Sequence, residues 1–183
     1  MDNFNGMGYR FHPTEDEIIN HFLELKMKYG TDFSAVIKEV DISNFEPWEL
    51  PDQSPLSSDD QEWYFFSTIA YKPSNKSTSK RVVERTTRAG FWKVTGKDRE
   101  IYDDNSGQLI GKRKALVFYQ GHGSNAVKTN WAMHEYHSQT VHQAYICSHL
   151  PYIFLPCIPV SQDDHDICSN LLHYLRFFKL YDW

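Results

Sequence analysis

The chain has 183 residues, 40% of them hydrophobic and 15% aromatic, enough for one domain that buries roughly two-thirds of its unfolded surface and too few for a second of full size. No run of about 18 uncharged apolar residues occurs, and Met1 to Arg10 lack the charged start and apolar stretch of a signal peptide, so the sequence reads as an intracellular, soluble protein. The formal charge of -5 hides an asymmetry: residues 1–70 carry 4 Lys/Arg against 14 Asp/Glu, residues 71–130 carry 13 against 5, and residues 131–183 carry 2 against 5. A basic middle third between acidic flanks is expected where one surface meets a polyanion, although a plainly solvated face gives the same run.

In chain order, Thr14 precedes Glu17 by three, a capping box that predicts a helix start. Ile18, Phe22, Leu25 and Tyr29 then recur at helical spacing as an inward stripe, with Gly30 as the stop. Ala35 to Val40 reads as a short strand, Asp41 to Leu50 as a short helix or turn between Pro47 and Pro51, and Pro51 to Gln61 as an acidic, Ser-rich loop.

From Glu62 the pattern changes to strands. Glu62 to Thr68 is aromatic-rich, Gly90 to Thr95 alternates bulky and polar residues, and Arg99 to Tyr102 leads into a turn at Asp103 to Gly107. Leu109 to Tyr119 should return antiparallel, and Thr129 to Tyr136 and Gln143 to Cys147 supply two more strands. Tyr71 to Lys80 is a Ser/Lys-rich loop with little to bury. The order predicts an α+β fold, a twisted and mainly antiparallel sheet flanked by short helices.

Catalytic and metal patterns fail on spacing. His134 and His137 are three apart in a strand-like context, whereas a helical zinc pair needs four. Cys147, His149, Cys157, His165 and Cys168 match no standard zinc site, and the three cysteines form no C-x-x-C pair. With no phosphate loop, nucleophile elbow or acidic dyad, neither an enzyme nor a cofactor or metal is expected.

Several motifs in fixed order carry a resemblance. Gly8 to Glu17 reads GYRFHPTEDE, Glu46 to Pro51 EPWELP, Glu62 to Ser67 EWYFFS, Gly90 to Arg99 GFWKVTGKDR, and Gly111 to Tyr119 GKRKALVFY, followed by Lys128 to Tyr136. This series resembles the plant NAC transcription-factor domain over Gly8 to about Cys147. The resemblance implies a twisted antiparallel sheet between helices, no metal, a nuclear homodimer or heterodimer with other NAC proteins, and binding to double-stranded DNA through a short CGT-type core.

Trp92 to Lys97 suits a strand entering the major groove: Lys93, Thr95 and Lys97 share one face, Trp92 and Val94 the other, and Gly96 permits close approach. A second basic set, Lys76, Lys80, Arg81, Arg85 and Arg88, leads into it. Arg85 matches a family arginine at the DNA surface, but Val82 stands where many members carry another arginine, and Glu84 replaces a common asparagine. Like-charge repulsion from Glu84 would cost on the order of 1 kcal/mol unless it pairs with Arg81 or Arg88. Lys112, Arg113, Lys114 and Lys128 are further candidate DNA contacts, with phosphate contact, nuclear import and plain solvation indistinguishable for the first three. Arg10 and Glu17 occupy the positions at which the family forms reciprocal salt bridges across a two-fold axis, although Glu17 also serves the capping box.

Residues 148–183 depart from the family pattern and form no recognised domain. Their composition lacks the polar, acidic character of a disordered activating region. Phe177, Phe178 and Trp183 are expected as exposed, poorly packed chain. The resulting expectation is a regulator that competes for DNA sites or forms mixed dimers; the alternative is a DNA-binding-deficient dimerisation module that sequesters related factors.

Overall fold

The computed structural model describes residues 10–57, 60–68, 83–139 and 175–182. At the helix start, the Thr14 N–H donates to Glu17 Oε2 at 2.8 Å and the Glu17 N–H to Thr14 Oγ1 at 3.2 Å, the reciprocal bonds of a capping box. The stripe beyond it differs from the expected one. Residues Glu17–Leu23 form a π-helical segment that runs directly into α1, Glu24–Tyr29. The i→i+5 register turns Ile18, Ile19 and Leu23 inward together and leaves Tyr29 75% exposed. Gly30, at φ +63°, ends α1 in the left-handed conformation that glycine adopts without strain.

The strands are β1 (Lys38–Glu39), β2 (Glu62–Thr68), β3 (Gly90–Tyr102), β4 (Leu109–Gln120), β5 (Val127–Ser138) and β6 (Leu175–Asp182). They form one sheet in the order β1-β2-β6-β5-β4-β3. Only β1 and β2 run parallel, so the fold is α+β with a mainly antiparallel sheet. The expected strand at 35–40 shrinks to β1 because the N–H groups of Val36 and Ile37 both turn back to the Phe33 carbonyl. The two expected runs at 90–95 and 99–102 are a single strand. Its turn into β4 is held by the Asp103 carboxylate, which accepts from the N–H groups of Asn105 and Ser106.

Alternation across the pleat gives the sheet two buried faces. Tyr64, Phe66, Ile101, Tyr136 and Phe177 pack under Ile18, Ile19 and Leu23. On the opposite face Phe65, Trp92, Leu116, Phe118, Met133, Phe178 and Leu180 pack with Val40 and Leu50. Residues 42–53, which contain three short 3-10 turns, lie along this second side.

The expectation of exposed Phe177 and Phe178 is overturned, since they are 0% and 3% exposed. They belong to β6, which lies between β2 and β5 and buries both of its faces. An apolar run without alternation is what a central strand requires. Trp183, Gln143 to Cys147 and the loop 71–80 lie outside the described residues.

Candidate nucleic-acid interface

Strand β3 is the free edge of the sheet on the side away from β1. Its first residues are anchored: Trp92, 3% exposed, packs edge-on against Phe118 with ring centroids 5.2 Å apart. Trp92 is therefore a core residue supporting the strand, which corrects its inclusion among side chains that touch DNA. Beyond it Lys93, Gly96, Lys97, Asp98, Arg99 and Glu100 are exposed and Thr95 is half-buried.

The regular pairing of β3 with β4 breaks after Thr95↔Ala115 and resumes at Arg99↔Arg113. Three residues of β3, Gly96 to Asp98, thus face the single residue Lys114 of β4. A bulge of this kind pushes the edge outward and needs a residue with positive φ, supplied by Gly96 at +73°. The bulge carries Lys97 outward and brings Asp98 onto Lys114.

The three consecutive basic residues of β4 separate in space. Lys112 is exposed. Arg113 turns to the helical side and donates to Glu15 Oε1 at 2.6 Å, with Arg99 at 3.6 Å from the other Glu15 oxygen. Lys114 holds Asp98. Lys93 lies over the Tyr119 ring at 5.1 Å, and Lys128 stands across from Tyr119 in the ladder. Lys93, Lys97, Lys112 and Lys128 form no ion pair with a carboxylate among the described residues. Arg99, which the sequence reading did not single out, joins Lys93 and Lys97 on this edge; its signal was the odd-numbered alternation continuing past the bulge.

The segment 83–89 folds back over β3. The Trp92 N–H donates to the Arg85 carbonyl at 2.8 Å, and the Thr87 N–H to the Gly90 carbonyl at 2.9 Å. Arg88 is exposed and reaches Glu49 at 3.2 Å. Arg85 is more deeply set: its Nη2 donates to both oxygens of Glu135, at 3.1 and 3.3 Å, and 22% of its side chain remains exposed. Glu84 Oε1 accepts from the Thr86 N–H, so its carboxylate also organises this segment. Lys76, Arg81 and Val82 lie outside the described residues.

Glu135 is the buried charge behind this face. Burial alone would raise its carboxyl, but the hydrogen bond from His137 and the guanidiniums of Arg176 and Arg85 take it down to about 2. His134, next along β5, points to the opposite face against Tyr136 and Tyr181. Burial, with Arg113, Lys179 and Arg99 nearby, lowers its imidazole to about 4. The two histidines therefore point away from each other. No group of three or more metal-type ligands occurs among the described residues.

At the other end of the molecule Arg10 Nη1 lies 2.5 Å from Asp60 Oδ1, and both side chains are largely exposed. Glu17 is engaged in the capping box and is also exposed. Within one chain, then, neither of the two candidate interface residues is paired with the other.

The chain matches a family model described as No apical meristem (NAM) protein over residues 6–138. It is 43% identical to Protein CUP-SHAPED COTYLEDON 3 of Arabidopsis thaliana over 136 residues, covering 74% of this chain and 39% of that protein. It is 47% identical to NAC domain-containing protein 92 over 131 residues, 70% of this chain and 42% of that one, and 48% identical to NAC domain-containing protein 100 over 131 residues, 70% and 36% respectively, both from Arabidopsis thaliana. The chain thus spans about two-fifths of the length of these curated relatives. The matched stretch holds β1 to β5 and the helical segment, with the ordered motifs on the strands just described, and the chain belongs to the NAC family, whose members are generally transcription regulators rather than enzymes.

Proposed function

We propose that this chain is a sequence-specific regulator that binds double-stranded DNA as a dimer and places β3 in the major groove at a CGT-type core. The observation that carries this reading is the bulged free edge of β3. There Lys93 and Lys97 project without carboxylate partners, around a backbone made narrow by Gly96. A two-dimensional strand of this kind fits the groove, and lysine ammonium groups reach guanine O6 and N7. Lys112 and Lys128 lie beside it for phosphate contact, and Arg85 and Arg88 approach from the overlying segment.

The dimer forms, in this reading, when Arg10 exchanges Asp60 for Glu17 of a second copy or of another NAC protein. A two-fold axis then makes the pair twice. Nuclear location follows from the DNA role. A second reading, a sequestering module without DNA binding, draws on the internal pairing of Arg85, Arg88, Arg113 and Lys114 with carboxylates.

Fluorescence anisotropy on a CGT-type duplex and a scrambled duplex, across a salt series, separates the two. Groove reading predicts tighter binding to the first, with a steep salt slope, and loss of that preference in Lys93→Ala. Equal weak binding to both duplexes by a folded dimer would support the sequestering module.

A further inference from the structure

One carboxylate on β5 serves three partners. Glu135, 1% exposed, accepts from Arg85 Nη2 at 3.1 Å, from His137 Nε2 at 2.5 Å and from Arg176 Nη1. Arg176 comes from β6 and is itself 5% exposed. The three side chains come together because β6 neighbours β5, in the register Glu135↔Phe178 and Tyr136↔Phe177, and because segment 83–89 folds over the same face. A small cavity at this point is lined by Asp41, Ile42, Glu84, Arg85, Arg176 and Phe178.

The hold on Arg85 is narrow. Its Nε is buried and has no hydrogen-bond partner among the described residues, so its recorded hydrogen bonds all run from Nη2 to Glu135. The carboxylate is in turn fixed on its other side by Arg176, which occupies Oε1. Without Arg176, Glu135 would be free to swing fully onto Arg85 and draw it inward; without Glu135, Arg85 would have no orienting acceptor and two guanidiniums would face each other in a poorly solvated space. We infer that Glu135 and Arg176 are positioning residues for Arg85, so that β6, far along the chain from the basic segment, sets the direction of a guanidinium on the DNA face. The inference rests on the DNA-binding reading for its consequence, but the positioning itself is a property of the free protein.

The test uses the full chain carrying Glu135→Gln together with Arg176→Met, which removes one charge of each sign and leaves the net charge unchanged. Two readouts are compared with Arg85→Ala. In nitrogen-resolved NMR of the free protein, the Arg85 Nε–H gives a separate, slowly exchanging signal, identified by its loss in Arg85→Ala. That signal merges with solvated arginines in the double variant. In anisotropy, the CGT-type duplex binds about tenfold more weakly to the double variant while the scrambled duplex changes by less than about twofold. Adding Arg85→Ala costs nothing further, because coupled residues are not additive.

An unchanged Arg85 signal, or full discrimination between duplexes in the folded double variant, overturns the inference. A parent protein that does not discriminate removes the DNA-binding reading alone, and the NMR result still decides the positioning. Should the double variant fail to fold, Glu135→Asp, which keeps the charge and retracts the carboxylate by one methylene, carries both readouts with the same expectations.

Discussion

Glu46 accepts the Thr87 hydroxyl at 2.6 Å, and both residues are buried. The other Glu46 oxygen takes the Ala89 N–H at 2.8 Å, while the Glu46 N–H donates to Glu49. One carboxylate from the turn region thereby fastens the segment that carries Arg85 and Arg88. Glu46→Ala leaves a buried hydroxyl and an amide without their acceptor, which costs about 1–3 kcal/mol. Urea unfolding should show that loss, and hydrogen exchange should show Ala89 losing protection before the strands do.

Strand β6 joins the two parts of the sheet, because β2 pairs with β5 only through it. Phe177→Ala is expected to cost about 3–5 kcal/mol, the range for a fully buried aromatic. Removing residues 175–182 should go further and abolish the cooperative unfolding transition, since two inner strand edges would lose their ladders together. A truncated chain that unfolds with the parent's midpoint would show that β6 is dispensable.

These two carboxylates and this strand mark where the sequence was and was not legible. Thr14 and Glu17 announce their helix because capping is local chemistry, and Glu62 to Thr68 is bounded as expected because aromatic density and flanking polar residues are local too. The π register of Glu17–Leu23 leaves no such trace, so the inward stripe was read as Leu25 and Tyr29 rather than Ile19 and Leu23. Phe177 and Phe178 could not be assigned to a central strand by periodicity, as both of their faces are buried and the partners Phe66 and Phe65 lie more than a hundred residues away. At the candidate site, the lysines of β3 were visible through alternation, whereas the dependence of Arg85 on Glu135 required the fold.

Acid should weaken the protein in two steps. Burial lowers His134 from 6.5 to about 4, with Arg113, Lys179 and Arg99 adding to the shift, and Tyr181 donates its hydroxyl to the neutral ring. The folded state therefore binds fewer protons than the unfolded chain between those values, and stability falls as pH drops through that window. Glu135, lowered from 4.5 to about 2 against its burial, adds a second loss in the same direction between those limits. Urea midpoints measured from pH 7 to pH 3 should decline throughout. His134→Gln should flatten the upper part, by on the order of 1 kcal/mol after allowing for its partial exposure.

Two glycines of β3 should respond in opposite ways to a single added methyl group. At Gly90 a Cβ would stand 2.0 Å from the Tyr119 carbonyl oxygen and 2.8 Å from the Phe118 ring, and the oxygen belongs to a paired backbone that cannot retreat without breaking the ladder. Gly90→Ala is expected to destabilise by several kcal/mol, with overpacking and a damaged ladder acting together. At Gly96 no atom lies within 4 Å of a built Cβ, so Gly96→Ala meets only the strain of φ +73°, roughly 1 kcal/mol. Its melting temperature should fall by a few degrees. The bulge, however, opposes Lys114 and carries Lys97, so relieving that strain turns the edge that the DNA reading requires. Gly96→Ala should keep a folded sheet by circular dichroism and lose preference for the CGT-type duplex, whereas a variant that keeps both fold and preference would show that the bulge shape is not what reads the groove.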